Sequence, residues 1–252
     1  MTDNRFKGKV AVVTGAGGGG IGPAACRLFA REGANVVAAC IHPSEAEAVA
    51  GECKALGAQA IATHTDVTKL GDCNEMVRLA LEAFGRVDIL VTVPAWTSTK
   101  FFLKETEEEW HKAMDVTFWG AVHAVRAVLP PMTKQRSGSI VLISSDTVKN
   151  LQPGNAIYGS AKAGINSFAS HLAKEVGPQG VRINVVSMGM TKTPKLMNSG
   201  WLTAEVERSA KERTPLGRLA ESGDVVDTIA FLASERASFI TGQVLSVNGG
   251  LC

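Results

Sequence analysis

Nothing in the chain is long and apolar enough to span a membrane as a helix. A span needs about 20 apolar residues in a row, and no uninterrupted run approaches that. Charge of one sign is also lacking. The formal net charge is +2, which predicts no nucleic-acid and no membrane partner. Cysteine occurs five times, at Cys26, Cys40, Cys53, Cys73 and Cys252, with no Cys-x-x-Cys pair. An odd, unpatterned set predicts free thiols in a reducing, cytoplasmic setting. Residues 1–7 lack the apolar core of a signal peptide, in keeping with that location. The histidines (His42, His64, His111, His123 and His171) show no metal-ligand spacing, so no metal is expected. Low-complexity runs, charge blocks and Pro/Gly linkers are missing, and the chain reads as one domain over residues 1–252. Scarcest of all is tyrosine: Tyr158 stands alone.

What is present is a globular composition, 45% hydrophobic and 20% charged, arranged as alternating elements. Apolar strand-like runs fall at 10–14, 35–40, 60–64, 88–92, 139–144, 181–186 and 244–247. Helix-length segments lie between them, at 23–32, 69–84, 107–129, 156–176 and 222–233. Val/Ile-rich strands without alternation suit a sheet buried on both faces. Strand–helix alternation implies parallel strands with right-handed crossovers. The expectation is an α/β fold: one doubly wound sheet of about seven strands flanked by helices.

Between the first strand and first helix lies Thr14-Gly-Ala-Gly-Gly-Gly-Gly-Ile-Gly22. Glycines let a backbone turn tightly and approach a pyrophosphate, and the following helix offers its N-terminal N–H groups to that anion. Pro23 suits the first helical turn, where its missing N–H costs little. At the end of the second strand, where an acid usually binds the ribose of NAD, stands Cys40, followed by Ile41 and His42. No arginine stands there for the 2′-phosphate of NADP, so the choice between NAD and NADP stays open. Asp66 ends the third strand and suits either an adenine amino group or a helix N-cap.

Tyr158 precedes Lys162 by four residues, which puts both on one face of a helix. A phenol has an ordinary pKa of about 10, and a nearby cation lowers it, so the pair is a plausible acid/base device. With the glycine turn, Asp66-Val67, Ser145 and Tyr158-x-x-x-Lys162 in that order, the chain resembles the short-chain dehydrogenase/reductase family. Gly189, the Thr193-Pro194 pair and the 241–250 ending extend the likeness over essentially the whole chain.

The resemblance implies a Rossmann-type, seven-stranded parallel sheet, usually in homotetramers or homodimers. It implies hydride transfer between NAD or NADP and an alcohol or ketone carbon. By the same resemblance Tyr158 is the proton donor or acceptor, Lys162 lowers its pKa and binds the nicotinamide ribose, and Ser145 hydrogen-bonds the substrate oxygen. Cofactor contacts are implied at Gly15, Gly20, Ile21, Gly22, Cys40, Asp66, Val67, Tyr158, Lys162, Gly189, Thr191 and Thr193. Three departures stand out. The glycine turn is one residue longer than the usual spacing. Thr92, Val93, Pro94 and Ala95 replace Asn-Asn-Ala-Gly. Thr117 stands where an asparagine completes the catalytic relay.

The segment 190–215 corresponds to the family's substrate lid and carries Leu196, Met197, Trp201 and Leu202. Trp96, Phe101 and Phe102 follow the fourth strand near the same sheet edge. Together they predict a pocket for a bulky apolar or alicyclic alcohol or ketone, a hydroxyacyl-CoA included. A 3-oxoacyl thioester reductase of fatty-acid type, and a dinucleotide-binding regulator with weakened turnover, are the alternatives. Val122, Val125 and Phe168 are candidate subunit-contact residues.

Overall fold

The computed structural model describes residues 4–252, so the first three residues of the N-terminal stretch lie outside the described residues. Seven strands form one parallel sheet: β1 (Val10–Thr14), β2 (Asn35–Cys40), β3 (Ala60–His64), β4 (Ile89–Thr92), β5 (Gly138–Ser145), β6 (Val181–Met188) and β9 (Val244–Val247). A second sheet pairs β7 (Thr191–Lys192) with β8 (Ala220–Glu221). The large sheet runs β3-β2-β1-β4-β5-β6-β9. Strand order reverses between β1 and β4, the switch point that opens a ligand crevice at the carboxyl ends of such sheets.

Side chains alternate across each strand, so each feeds two cores. Ala11 and Val13 of β1 pack under α1 (Ile21–Arg31), α2 (Pro43–Ala55) and α9 (Ser222–Ala233). Val10 and Val12 pack under α3 (Leu70–Phe84), α5 (Gly120–Gln135) and α6 (Ala156–Val176). Both faces of the sheet are therefore covered, as the continuous apolar strands require. The 190–215 segment carries α7 (Pro194–Met197) and α8 (Ala204–Arg213). Among the described residues no helix is long and apolar enough to cross a membrane.

Several boundaries differ from expectation, each for a physical reason. The strand at 88–92 begins at Ile89, because the Asp88 carboxylate is engaged by Val10 N (2.9 Å) and Arg86 Nε (2.7 Å). The strand at 181–186 runs on to Met188, which pairs with both Ser145 and Val247. The helix expected over 107–129 is α4 (Glu107–Met114), a π-helical turn (Asp115–Trp119) and then α5. Helix α2 had no counterpart among the helical segments expected. Val125, a candidate for subunit contact, is instead 1% exposed and part of the core. Phe168 packs edge-on against Phe118 with ring centres 6.4 Å apart.

Candidate active site

The carboxyl ends of β1, β4, β5 and β6 meet at the crevice. After β1 the chain turns through Gly15, whose φ of +71° an L side chain rarely adopts. The turn is also crowded: a Cβ on Gly15 would stand 3.0 Å from Pro94 Cδ, and one on Gly22 only 2.0 Å from Gly15 O. Gly20 forms the N-cap of α1 and supplies no side-chain cap. The first-turn N–H groups of α1 are thus left for an anion, as a dinucleotide pyrophosphate requires. Gly19 and Gly20 sit against the segment that follows β6: a Cβ on Gly20 would lie 3.7 Å from Thr193 Cγ2, and one on Gly19 3.0 Å from Pro194 Cγ. These residues fit a dinucleotide.

The other expected contacts follow β3 and β6. Gly189 N donates to Val247 O (3.0 Å), and Thr191 Oγ1 donates to Gly189 O (3.0 Å). Thr193 caps α7, its Oγ1 accepting from Leu196 N at 3.3 Å. Asp66 does not cap the first turn of α3. Its Oδ1 instead accepts from Thr68 N (3.0 Å) and Thr68 Oγ1 (2.7 Å). Burial alone would raise its pKa, but the Thr68 hydrogen bonds and the Lys69 charge hold the carboxyl below its ordinary value. Val67 is buried, and its carbonyl accepts from His123 Nδ1 at 3.0 Å.

Cys40 is buried where a ribose-binding acid was sought. A carboxylate approaches this thiol from α2. Glu45, in the first turn of α2, directs Oε2 to within 3.8 Å of Cys40 Sγ. A Cβ on Gly17 would stand 2.0 Å from that Oε2 and 2.7 Å from Cys40 Sγ. Thiol, carboxylate and glycine turn therefore converge on one spot. The sequence signal was Pro43, a helix-start residue that places Glu45 in a first turn.

The proton-handling groups come from β5 and α6. Tyr158 and Lys162 lie on α6, with the Lys162 amine 5.8 Å from the centre of the Tyr158 ring. Lys162 is buried; its Nζ donates to Ile143 O at 2.6 Å, and its carbonyl accepts from Ser144 Oγ at 3.3 Å. Loss of water pushes the Lys162 pKa from 10.5 down to about 7. Burial raises the Tyr158 pKa, and a hydrogen bond with Ser145 pulls the other way. The Lys162 amine faces a backbone carbonyl, and the Ser145 hydrogen bond favours the phenolate. Ser145 Oγ also donates to Thr147 Oγ1 at 3.0 Å.

Thr117 lies in the π-helical turn, fully buried. Its Oγ1 accepts from Trp96 N (3.1 Å) and donates to Trp96 O (3.3 Å). The hydroxyl's one donor and one of its two acceptor positions hold the loop after β4, which is a positioning task.

Ser145 and Tyr158 face a cleft of about 1400 Å³ that runs beneath the 190–215 segment, with Trp96, Leu196 and Trp201 among its walls. Phe101 and Phe102 lie outside it: both are exposed, and Phe102 stacks on Trp110 at 5.2 Å. Met197, also expected there, is exposed and turned away from the cleft walls.

A doubly wound parallel sheet, a glycine turn at its switch point, and serine, tyrosine and lysine beside an apolar cleft define a dinucleotide-dependent oxidoreductase. Comparison with known proteins makes the class specific. A family model described as enoyl-(acyl carrier protein) reductase matches residues 15–252. The 3-oxoacyl-(acyl-carrier-protein) reductase FabG of Thermotoga maritima is 34% identical over 247 residues, 98% of this chain and 99% of that protein. FabG of Staphylococcus epidermidis is 35% identical, covering 96% of this chain and 98% of that protein. A solved 7α-hydroxysteroid dehydrogenase, complexed with NADH and 7-oxo glycochenodeoxycholic acid, superposes with a TM-score of 0.93 at 31% identity. That match covers 99% of this chain and 96% of the other. The chain belongs to the short-chain dehydrogenase/reductase family. It is an NAD(P)-dependent oxidoreductase acting on CH–OH and C=O groups.

Proposed function

We propose that the protein interconverts a bulky, largely apolar secondary alcohol, alicyclic or acyl-thioester in type, and its ketone. The carrying observation is the size and lining of the cleft: about 1400 Å³, with Trp96 and Trp201 lining the same cleft as Ser145 and Tyr158. The substrate shares that volume with the nicotinamide, and apolar walls reward an apolar ring or chain over a small polar sugar. The nicotinamide supplies or accepts the hydride. Ser145 holds the substrate oxygen by a hydrogen bond. Tyr158 gives that oxygen a proton in reduction or removes one in oxidation. Lys162 stands behind Tyr158 and hydrogen-bonds the nicotinamide ribose. Thr117 holds Trp96 at the cleft wall. The 190–215 segment covers the substrate and excludes water.

A 3-oxoacyl thioester is the second reading. Three basic side chains, Lys195, Arg213 and Arg218, also line the cleft; Arg218 is paired with Asp224, and Lys195 and Arg213 suit the phosphates of a carrier arm. The FabG relatives support it. Initial rates of NADH and NADPH oxidation, measured on bulky alicyclic ketones and on 3-oxoacyl-CoA esters, test the choice. Higher kcat/KM on the alicyclic set supports the first reading. Higher kcat/KM on the thioesters supports the second, and turnover restricted to small sugars contradicts both.

The reading extends to assembly as a homotetramer or homodimer. Phe239 is fully exposed and Leu245 41% exposed beside the open edge of β9, and exposed apolar patches of this kind favour contact between copies. Light scattering on the purified protein checks it, with a monomeric mass as the contrary result.

A further inference from the structure

We propose that Glu45 selects NAD over NADP, its carboxylate receiving the adenosine ribose hydroxyls and repelling a 2′-phosphate. The inference rests on the reading of the cleft as a nicotinamide dinucleotide site. A pyrophosphate on the Gly15–Gly22 turn places the adenosine ribose over the carboxyl end of β2. In this chain that strand ends in Cys40, a buried thiol in place of a carboxylate. Glu45 fills the role from outside the usual place. It sits five residues further on, at the third position of α2, where a glutamate commonly folds back to cap its own helix. Here no side chain caps α2. The Glu45 carboxylate turns instead toward Cys40 Sγ (3.8 Å) and the Gly17 backbone, against which it lies so closely that a Cβ there would overlap it at 2.0 Å. Cys40 Sγ in turn is approached by His42 N at 3.5 Å, which fixes the strand end under the carboxylate.

A carboxylate in this position accepts hydrogen bonds from vicinal hydroxyls, and such charge-assisted bonds are the strong ones. A 2′-phosphate carries nearly two negative charges and no proton to donate, so it meets repulsion instead. No lysine or arginine occurs in residues 37–46 or in the 15–22 turn to compensate. Gly17 has a complementary part: only a residue without Cβ leaves room for Oε2.

Tryptophan-to-dihydronicotinamide energy transfer, titrated with NADH and with NADPH, gives both dissociation constants without turnover. The wild-type protein is expected to bind NADH at least tenfold more tightly, about the effect of one charge-assisted hydrogen bond. Glu45→Gln should weaken NADH and tighten NADPH, lowering the selectivity about tenfold or more. Gly17→Ala, which keeps the charge but displaces it, should move selectivity in the same direction. Glu45 is on the helix surface, and far-UV dichroism of both variants verifies the fold. Selectivity unchanged in Glu45→Gln, with both dinucleotides still bound, overturns the role of Glu45 alone. Failure of the wild-type protein to bind either dinucleotide overturns the cofactor site as well.

Discussion

At position 162 burial strips water from an ammonium, and the pKa falls from 10.5 to about 7. The sign of the consequence is fixed by linkage. Between pH 7 and 10.5 the unfolded chain holds a proton that the folded chain has released, so this residue makes stability rise with pH across that window. Each unit is worth about 1.4 kcal/mol while the difference lasts. Urea denaturation of the cofactor-free protein at pH 7, 8 and 9 should therefore show the wild type gaining on Lys162→Met as pH rises. A constant gap between the two would contradict the buried, neutralised amine. Tyr158 moves oppositely: burial raises it, so at neutral pH the phenol is protonated and ready to donate. The spacing of Ser145, Tyr158 and Lys162 was legible in the sequence. The electrostatics were not, because periodicity places two side chains on one helix face without saying that one of them turns to Ile143 O.

Among the elements, α1 and its glycine turn are the proposed seat of the dinucleotide. Gly22 is the tightest point, since its missing Cβ would lie 2.0 Å from Gly15 O and 2.8 Å from Gly15 C. Neither is the end of a flexible side chain, so backbone must move. Gly22→Ala should cost about 1–3 kcal/mol of stability, as overpacking does, and abolish dinucleotide binding. Urea denaturation and NADH titration measure the two effects, and a variant with wild-type values in both would refute the close approach. The strands were the most legible elements. β1, β2, β3 and β9 fall at the expected residues; for β1 and β2 the reason is an unbroken Val/Ala run, which is stable in a doubly covered sheet. Helix α2 was harder to read. Its buried stripe, Ala46, Val49, Ala50 and Cys53, is made of small residues, and exposed Ala48 and Ala55 blur the contrast between its faces. With α2 overlooked, so was Glu45. The π-helical turn at Asp115–Trp119 carries no propensity signal either. One extra residue in that turn aims Thr117 at Trp96, a tertiary demand that local sequence does not encode.

The whole molecule brings together groups that are far apart in sequence. The glycine turn follows β1, the Trp96 wall follows β4, the Ser145 hydroxyl ends β5, and the 190–215 segment follows β6 and lines the cleft. Only the parallel sheet, with every strand pointing the same way, delivers these four ends to one edge. The account stands on that convergence being a site of hydride transfer in which Tyr158 moves the proton. The most direct measurement compares wild type with Tyr158→Phe for NAD(P)H binding and for kcat on the best ketone of the panel. Loss of the phenol hydroxyl should leave the dissociation constant nearly unchanged. It should lower kcat by about a hundredfold to ten-thousandfold, the usual contribution of a positioned general acid. An unchanged kcat with intact binding would contradict the account.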